Sequence, residues 1–264
     1  MSNCRRLQVL HADDNDKITT LQPFAQRLRE LDAGGYSSAL TNGELADATG
    51  LVSLSAYDNR AITTVAPFGA SLRRLGASDS MIGDAGLVTA TNLVYLNASG
   101  NDDICSLASF SSQLLELRAY GHWISETALS AVTNLIWLDV SNNPVITTVQ
   151  SCGRSLRHLV AWGSALRNES LCTATQLVTL YSRENPNLTT MEPFLHSLEE
   201  LTTDTRTAML QMVADAALLH HVFLRRSDEE SVDAMTIELE RHGFAERNEN
   251  GHWVRHVAVL DLSF

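Results

Sequence analysis

Nine histidines, four cysteines and a run of acidic residues near the start are the groups of this 264-residue chain best suited to metal or thiol chemistry. Five of the histidines lie beyond residue 219: His220, His221, His242, His252 and His256. His252 and His256 share one face of an expected strand, and with His242 they form the best metal set on offer. Zinc sites use ligands at short, repeated spacings, and these three lack that spacing. Cys4, Cys105, Cys152 and Cys172 form no CxxC pair and no close cluster, so they indicate neither a zinc site nor a disulfide framework. The acidic run HADDND, with Asp13, Asp14 and Asp16, lacks the glutamate that completes a calcium loop. No phosphate-cradling GxxxxGK[ST], no HExxH, no GxSxG and no GxGxxG occurs. The expectation is a protein that is not an enzyme and holds no metal or cofactor.

Charge and composition narrow the partners. The net charge is −12, and no basic stripe exists to meet phosphates, so nucleic acid is not expected as a ligand. An anionic membrane surface is disfavoured for the same reason. Hydrophobic residues make up 44% of the chain, enough for a core, yet no apolar run has membrane-spanning length. No secretory signal is seen at MSNCRRLQVL, which predicts a cytoplasmic protein with reduced thiols. Asn97, Asn168 and Asn187 stand in glycosylation sequons that such a protein would not use.

What must position any functional group is a repeat. Leu7, Leu28, Leu51, Leu72, Leu93, Leu114, Leu135, Leu156, Leu177 and Leu198 open ten phrases, each 21 residues after the last except for one step of 23. A second leucine follows three residues later, from Leu10 to Leu201, and a small residue two further on, usually alanine. One phrase cannot bury its own leucines, but copies laid side by side form a parallel sheet with a continuous core behind it. Odd phrases read like ITTVAPF and supply Phe24, Phe68, Phe110, Cys152 and Phe194 at one buried position. Even phrases, such as MIGDAGLVTATN and WISETALSAVTN, have helix-tolerant spacing. Asn15, Asn59, Asn101, Asn143 and Asn185 recur in the odd phrases, where the strand turns away from the sheet. A primary amide both donates and accepts, so these five predict a structural asparagine ladder.

The frame L-x-x-L-x-L-x-x-N, with alanine in its third apolar place, resembles that of leucine-rich-repeat proteins over about residues 5–205. Odd phrases resemble the short repeats of the phosphatase-regulator and internalin type. Even phrases are similar to the IxDxGL repeats of F-box-linked and ribonuclease-inhibitor-type proteins. The resemblance implies an α/β fold: a leucine-rich-repeat solenoid over residues 1–205, with a curved parallel sheet of about ten 21-residue repeats. Beyond it, residues 206–264 predict a small α+β C-terminal cap. TAMLQMVADAALLHHVFL reads as a first helix, SDEE opens a second, and Asn250–Gly251 mark a hairpin. The first repeat begins at Leu7, so an uncapped N-terminal sheet edge is expected, with self-association through it as one possible outcome.

Strand alternation turns the residues on either side of each second leucine onto the concave face. The frame is monotonous; these positions vary. Towards the centre they carry Tyr95, Glu116, Arg118, Trp137, Asp139, His158 and Tyr181, with Tyr57, Tyr120 and Trp162 two places further along their strands. Aromatic residues interleaved with arginine and acid match the composition of protein-binding hot spots. The sequence thus predicts a module that binds a partner protein through this face. A substrate or phosphatase adaptor is one form of that reading; a structural component of a larger intracellular assembly is the alternative. The register makes a sharp prediction: Leu138→Ala should cost ~2–5 kcal/mol, whereas Trp137→Ala next to it should leave folding nearly intact. Urea unfolding of the two variants measures both; equal losses would refute the register.

Overall fold

The structure, a computed structural model, describes residues 6–204 apart from positions 102, 122, 123, 191 and 195, together with residues 221–225, 245–247, 253–255 and 258–261. The chain divides into two compact units, Met1–Leu135 and Ile136–Phe264. In the first, β1 (Val9–His11), β2 (Glu30–Asp32), β3 (Ser53–Ser55), β4 (Arg74–Gly76), β5 (Tyr95–Asn97) and β6 (Glu116–Arg118) pair in parallel and in chain order. In the second, β7 (Trp137–Asp139), β8 (His158–Val160), β9 (Thr179–Tyr181) and β10 (Glu200–Asp204) do the same. The register sets leucine opposite leucine at every step, as in Leu54 against Leu75 and Leu159 against Leu180.

The leucines make the core. From Leu31 to Leu201 the second leucine of each repeat is no more than 1% exposed, and Leu138 is wholly buried. Burying each such side chain contributes about 1.5–3 kcal/mol before entropy is counted. On the far side of the core, Phe24, Phe68, Phe110, Cys152 and Phe194 are all buried at one repeat position. Even repeats fold there into single helical turns: α1 (Asn42–Leu45), α2 (Asp84–Leu87) and α3 (Glu126–Ser130), followed by a 3-10 turn at Asn168–Leu171. The α1 start is closed by a capping box. The Thr41 hydroxyl accepts from Gly43 N, and the Glu44 carboxylate accepts from Thr41 N at 2.9 Å. Odd repeats stay extended there, with short 3-10 turns such as Ala25–Arg27 and Ala108–Phe110.

The exit from each strand is the tightest point. Left-handed backbone occurs at Asp14, Gly35, Asp58, Asp79, Gly100, Gly121, Asn142, Gly163 and Glu184. Each lies immediately before the place occupied by the ladder asparagine in odd repeats. The N–H of most of these residues still donates to the next repeat: Asp58 N to the Ser78 carbonyl at 3.0 Å, Gly163 N to that of Arg183 at 2.9 Å. Inside the turn, the Asn59 amide donates to the carbonyls of Ala33 and Leu40, at 2.7 and 3.1 Å, and accepts from Ala61 N. Asn101 donates to the carbonyls of Ala77 and Ile82 and to the Ser80 hydroxyl. Asn185 donates to the Ala161 carbonyl and accepts from Ser164. Asn143 is fully buried, and Asn15, half-buried, accepts from Lys17 N and Ile18 N at 3.0 Å. Ser80 and Ser164 fill two of the even-repeat places between asparagines, donating to the Ala77 and Ala161 carbonyls, whereas exposed Tyr36 stands at another. The ladder therefore contains serine as well as asparagine, which the sequence reading did not anticipate.

A second set of side chains ties even repeats to odd ones. The Asn42 side-chain carbonyl accepts from Thr63 N and Thr64 N; the Asp84 carboxylate accepts from Cys105 N and Ser106 N. Asn168 accepts from Thr189 N and Thr190 N and donates to the Thr189 hydroxyl.

Beyond β10 one expectation is corrected. The first cap helix was to run through residue 224, but His221–Arg225 forms a strand, β11, parallel to β10 with Leu201 opposite Val222. Val222 is one more 21-residue step from Leu201, so strand pairing overrides the helical spacing of the apolar residues around it. β14 (Ala258–Asp261) adds to β11 in parallel, and β12 (Ala245–Arg247) pairs with β13 (Trp253–Arg255) antiparallel around the expected hairpin position. The rest of the first helix, the second helix around Ser227 and Glu230, and the Asn250–Gly251 turn lie outside the described residues.

The left-handed turns can be tested with matched glycines. A Cβ at Gly100, whose φ is +64°, would stand 2.3 Å from the Asp79 carboxylate, whereas one at Gly76 meets nothing nearer than 3.7 Å. Gly100→Ala is expected to lose at least ~1–2 kcal/mol, and Gly76→Ala to stay within about 1 kcal/mol of wild type or gain slightly. Urea midpoints at constant m-value check both.

Candidate functional site

Each strand is three residues long over most of its repeats, with a buried leucine at the centre and two outward neighbours. Those neighbours, and the residue two places past the strand, form one face of the sheet in each unit. Both faces are built on short strands and their tight exits rather than on long loops.

In the first unit Tyr95 is the centre of the arrangement. The Arg74 guanidinium lies over its ring at 4.3 Å from the centroid, and that of Arg118 at 5.6 Å. Such stacking holds an arginine in place while leaving its N–H fork available. Arg118 also pairs with Glu116 at 3.3 Å, an exposed contact of small energetic weight. Tyr57 lies two strands away, with its ring packed where a Gly34 side chain would be: a Cβ there would stand 2.4 Å from the ring. Its hydroxyl is pushed above the usual tyrosine range by burial and by the field of Asp13, Asp32 and Asp14. Tyr120 is half exposed, and its N–H donates to Ser99.

In the second unit Trp162 and Tyr181 meet edge to face, with centroids 6.5 Å apart and planes at 80°. Arg183 lies over the Trp162 ring at 5.8 Å. The Tyr181 hydroxyl donates to the Glu200 carboxylate, and its pKa is pushed up to about 12 by burial and by that carboxylate. Tyr181 therefore stays a neutral donor at any physiological pH. His158 Nδ1 lies 2.8 Å from the Thr179 hydroxyl. Trp137 is half-buried beside Leu138, and the Asp139 carboxylate accepts from Ser141 N at 2.9 Å, closing the strand end. Asp32 and Asn97 accept in the same way from Gly34 N and Ser99 N. Asp139, expected as a binding residue, thus also closes a turn.

Within the first unit, then, the structure brings together Tyr95, Glu116 and Arg118; within the second, Trp162 with Tyr181. Arg74, Arg183, Thr179 and Glu200 complete these contacts and were not singled out in the sequence. Arg74 and Glu200 occupy outward strand positions, and that pattern is the signal that finds them. Other chemistry is sparse. Among the described residues no group of three or more His, Cys, Asp or Glu stands close enough for a metal ion. His220, His242, His252 and His256 lie outside the described residues. Among the described residues no helix is long and apolar enough to cross a membrane.

What these features define is a class: a repeat-built, solenoid-like α/β protein that presents aromatic and charged side chains on open faces of parallel sheet. No protein-family model matches the chain, and no curated protein does either.

Among the described residues the thiols separate cleanly. Cys152 is fully buried and its pKa is pushed up to about 11 by that burial, whereas Cys105 and Cys172 are exposed. A maleimide at neutral pH should modify Cys105 and Cys172 in the native protein and Cys152 only after unfolding. Peptide mass mapping reads the outcome.

Proposed function

We propose that the chain is a cytoplasmic, non-enzymatic leucine-rich-repeat protein with alternating repeat types, and that it binds a partner protein through the outward strand faces of its units. The observation that carries this reading is the state of the aromatic residues. Tyr95 between two guanidinium groups, and Trp162 between Tyr181 and Arg183, are held in place by neighbours while remaining partly open to solvent. Held aromatic and arginine side chains lose little entropy when a partner covers them, which is why such residues dominate binding energy at interfaces. The cytoplasmic part draws support from Asn168. This sequon asparagine engages both atoms of its amide in contacts to Thr189 and Thr190, and a glycan would break them.

A second reading rests on β1. Among the described residues β2 is its strand partner, and Val9 is 45% exposed. Self-association along that edge would make the protein a structural component of an assembly.

Affinity capture from native lysate distinguishes the two. Tyr95→Ala and Trp162→Ala, each with wild-type urea stability, are expected to weaken capture of a common partner about tenfold or more. Retention of the same partners by both variants, together with concentration-dependent sedimentation, would transfer the function to the edge.

A further inference from the structure

Between Tyr57 and Tyr95 the first unit's face sinks into a shallow basin of about 280 Å³. Its floor is made of the smallest side chains on the sheet: Ser53 and Ser55 on β3, Gly76 on β4, with Ser78 just beyond. The strand register explains the depression. Ser53 stands opposite Arg74 and Ser55 opposite Gly76, so two adjacent strands lack bulk at the same level while tyrosines rise on either side.

The basin collects donors that, among the described residues, have no hydrogen-bonding or ion-pair partner. Among the described residues no salt bridge involves Arg74, although its guanidinium lies against the Tyr95 ring at 4.3 Å. The hydroxyls of Ser53, Ser55 and Ser78 take part in no hydrogen bond among the described residues. No carboxylate lines the basin. The acids stand one strand removed: Glu30 and Asp32 on β2, opposite Ser53 and Ser55, and Glu116 on β6, opposite Tyr95.

Resting on the protein-binding reading above, we propose that this basin receives the side-chain carboxylate of an aspartate or glutamate in the partner protein. Arg74 supplies the bidentate fork, and the serine hydroxyls donate to the remaining lone pairs. Arginine pairs with a carboxylate in plane through two N–H groups, and stacking on Tyr95 presents that plane already oriented. One guanidinium balances one negative charge. A dianionic phosphoryl group would bring a second charge toward Glu30, Asp32 and Glu116 with no second unpaired cation in the basin. A cationic side chain would face Arg74. The volume also lies just below the ~300–1,000 Å³ typical of small-molecule sites, and so fits one side chain of a larger partner rather than a free metabolite.

The test is an NMR titration of the full-length protein, following backbone amides and arginine Nε–H groups. The probes are acetyl-Gly-Glu-Gly-amide, its glutamine twin and its phosphoserine twin. The expected result is a saturating shift at Arg74 Nε–H and at the amides of Ser55 and Gly76 with the glutamate peptide, about tenfold weaker with the glutamine twin. Arg74→Gln should abolish the response; Arg74→Lys should restore part of it. Equal shifts from the glutamate and glutamine peptides, a stronger response to phosphoserine, or no response at these groups would overturn the proposal. Its failure is separable from that of the broader reading. If the peptides leave Arg74 unmoved while Tyr95→Ala and Trp162→Ala still lose a captured partner, only the carboxylate assignment falls. If capture is also indifferent to those substitutions, the binding face itself is wrong.

Discussion

Everything in this fold depends on how the chain leaves each short strand. Three residues pair with their neighbours, and the backbone must then turn out of the sheet and back over the core within one period. That turn is made at a left-handed residue, and in most of the described repeats the polar groups it would strand inside the protein meet an asparagine or serine next in line, as at Asn59, Ser80, Asn101 and Ser164. An unsatisfied buried donor or acceptor costs about 1–3 kcal/mol, and without these side chains the penalty would recur along the stack. The side-chain ladder thus offsets a cost that leucine burial would otherwise carry again and again.

From that constraint the rest follows in order. Because each exit is rigid, the register is exact, and because the register is exact, leucine meets leucine along the core. With the inward positions committed to packing, most outward positions carry little structural demand, apart from those such as Asp32, Asn97 and Asp139 that close a strand end. The variety seen at Arg74, Tyr95, Arg118 and His158 is the result. The same logic separates the cysteines. Cys152 occupies a phenylalanine place and behaves as a small hydrophobe, while Cys105 and Cys172 lie on the surface.

How much of this could be read in advance depends on whether a position carries one residue type. The leucine frame and the odd-repeat asparagines recur with constant identity, so periodicity alone finds them and places the strands between Leu10 and Leu201. The left-handed column escapes such reading because aspartate, glycine, asparagine and glutamate all fill it; what recurs there is a backbone angle, not a side chain. Ser80 and Ser164 escape because serine is common elsewhere. On the candidate faces, Tyr95 and Trp162 stand out by type, whereas the role of Arg74 emerges only when the register sets it against Tyr95 and beside two serines. At His221–Arg225 the apolar residues suit either period, and only the partner strand decides.

The contacts made by Asn42, Asp84 and Asn168 have a separate consequence. Each joins the helical segment of an even repeat to the extended segment that follows, and they recur at intervals of 42 and 84 positions. Stacking on leucines alone would make every 21-residue copy interchangeable. These bonds make the copies alternate in phase, so the indivisible module is a doublet. In the history of such a chain, duplication or loss of a single copy would set like against like at the junction, whereas a gain or loss of two would pass without a seam. An even-numbered growth law is thus written into the side chains on the side of the core opposite the sheet, leaving the outward faces free to diversify.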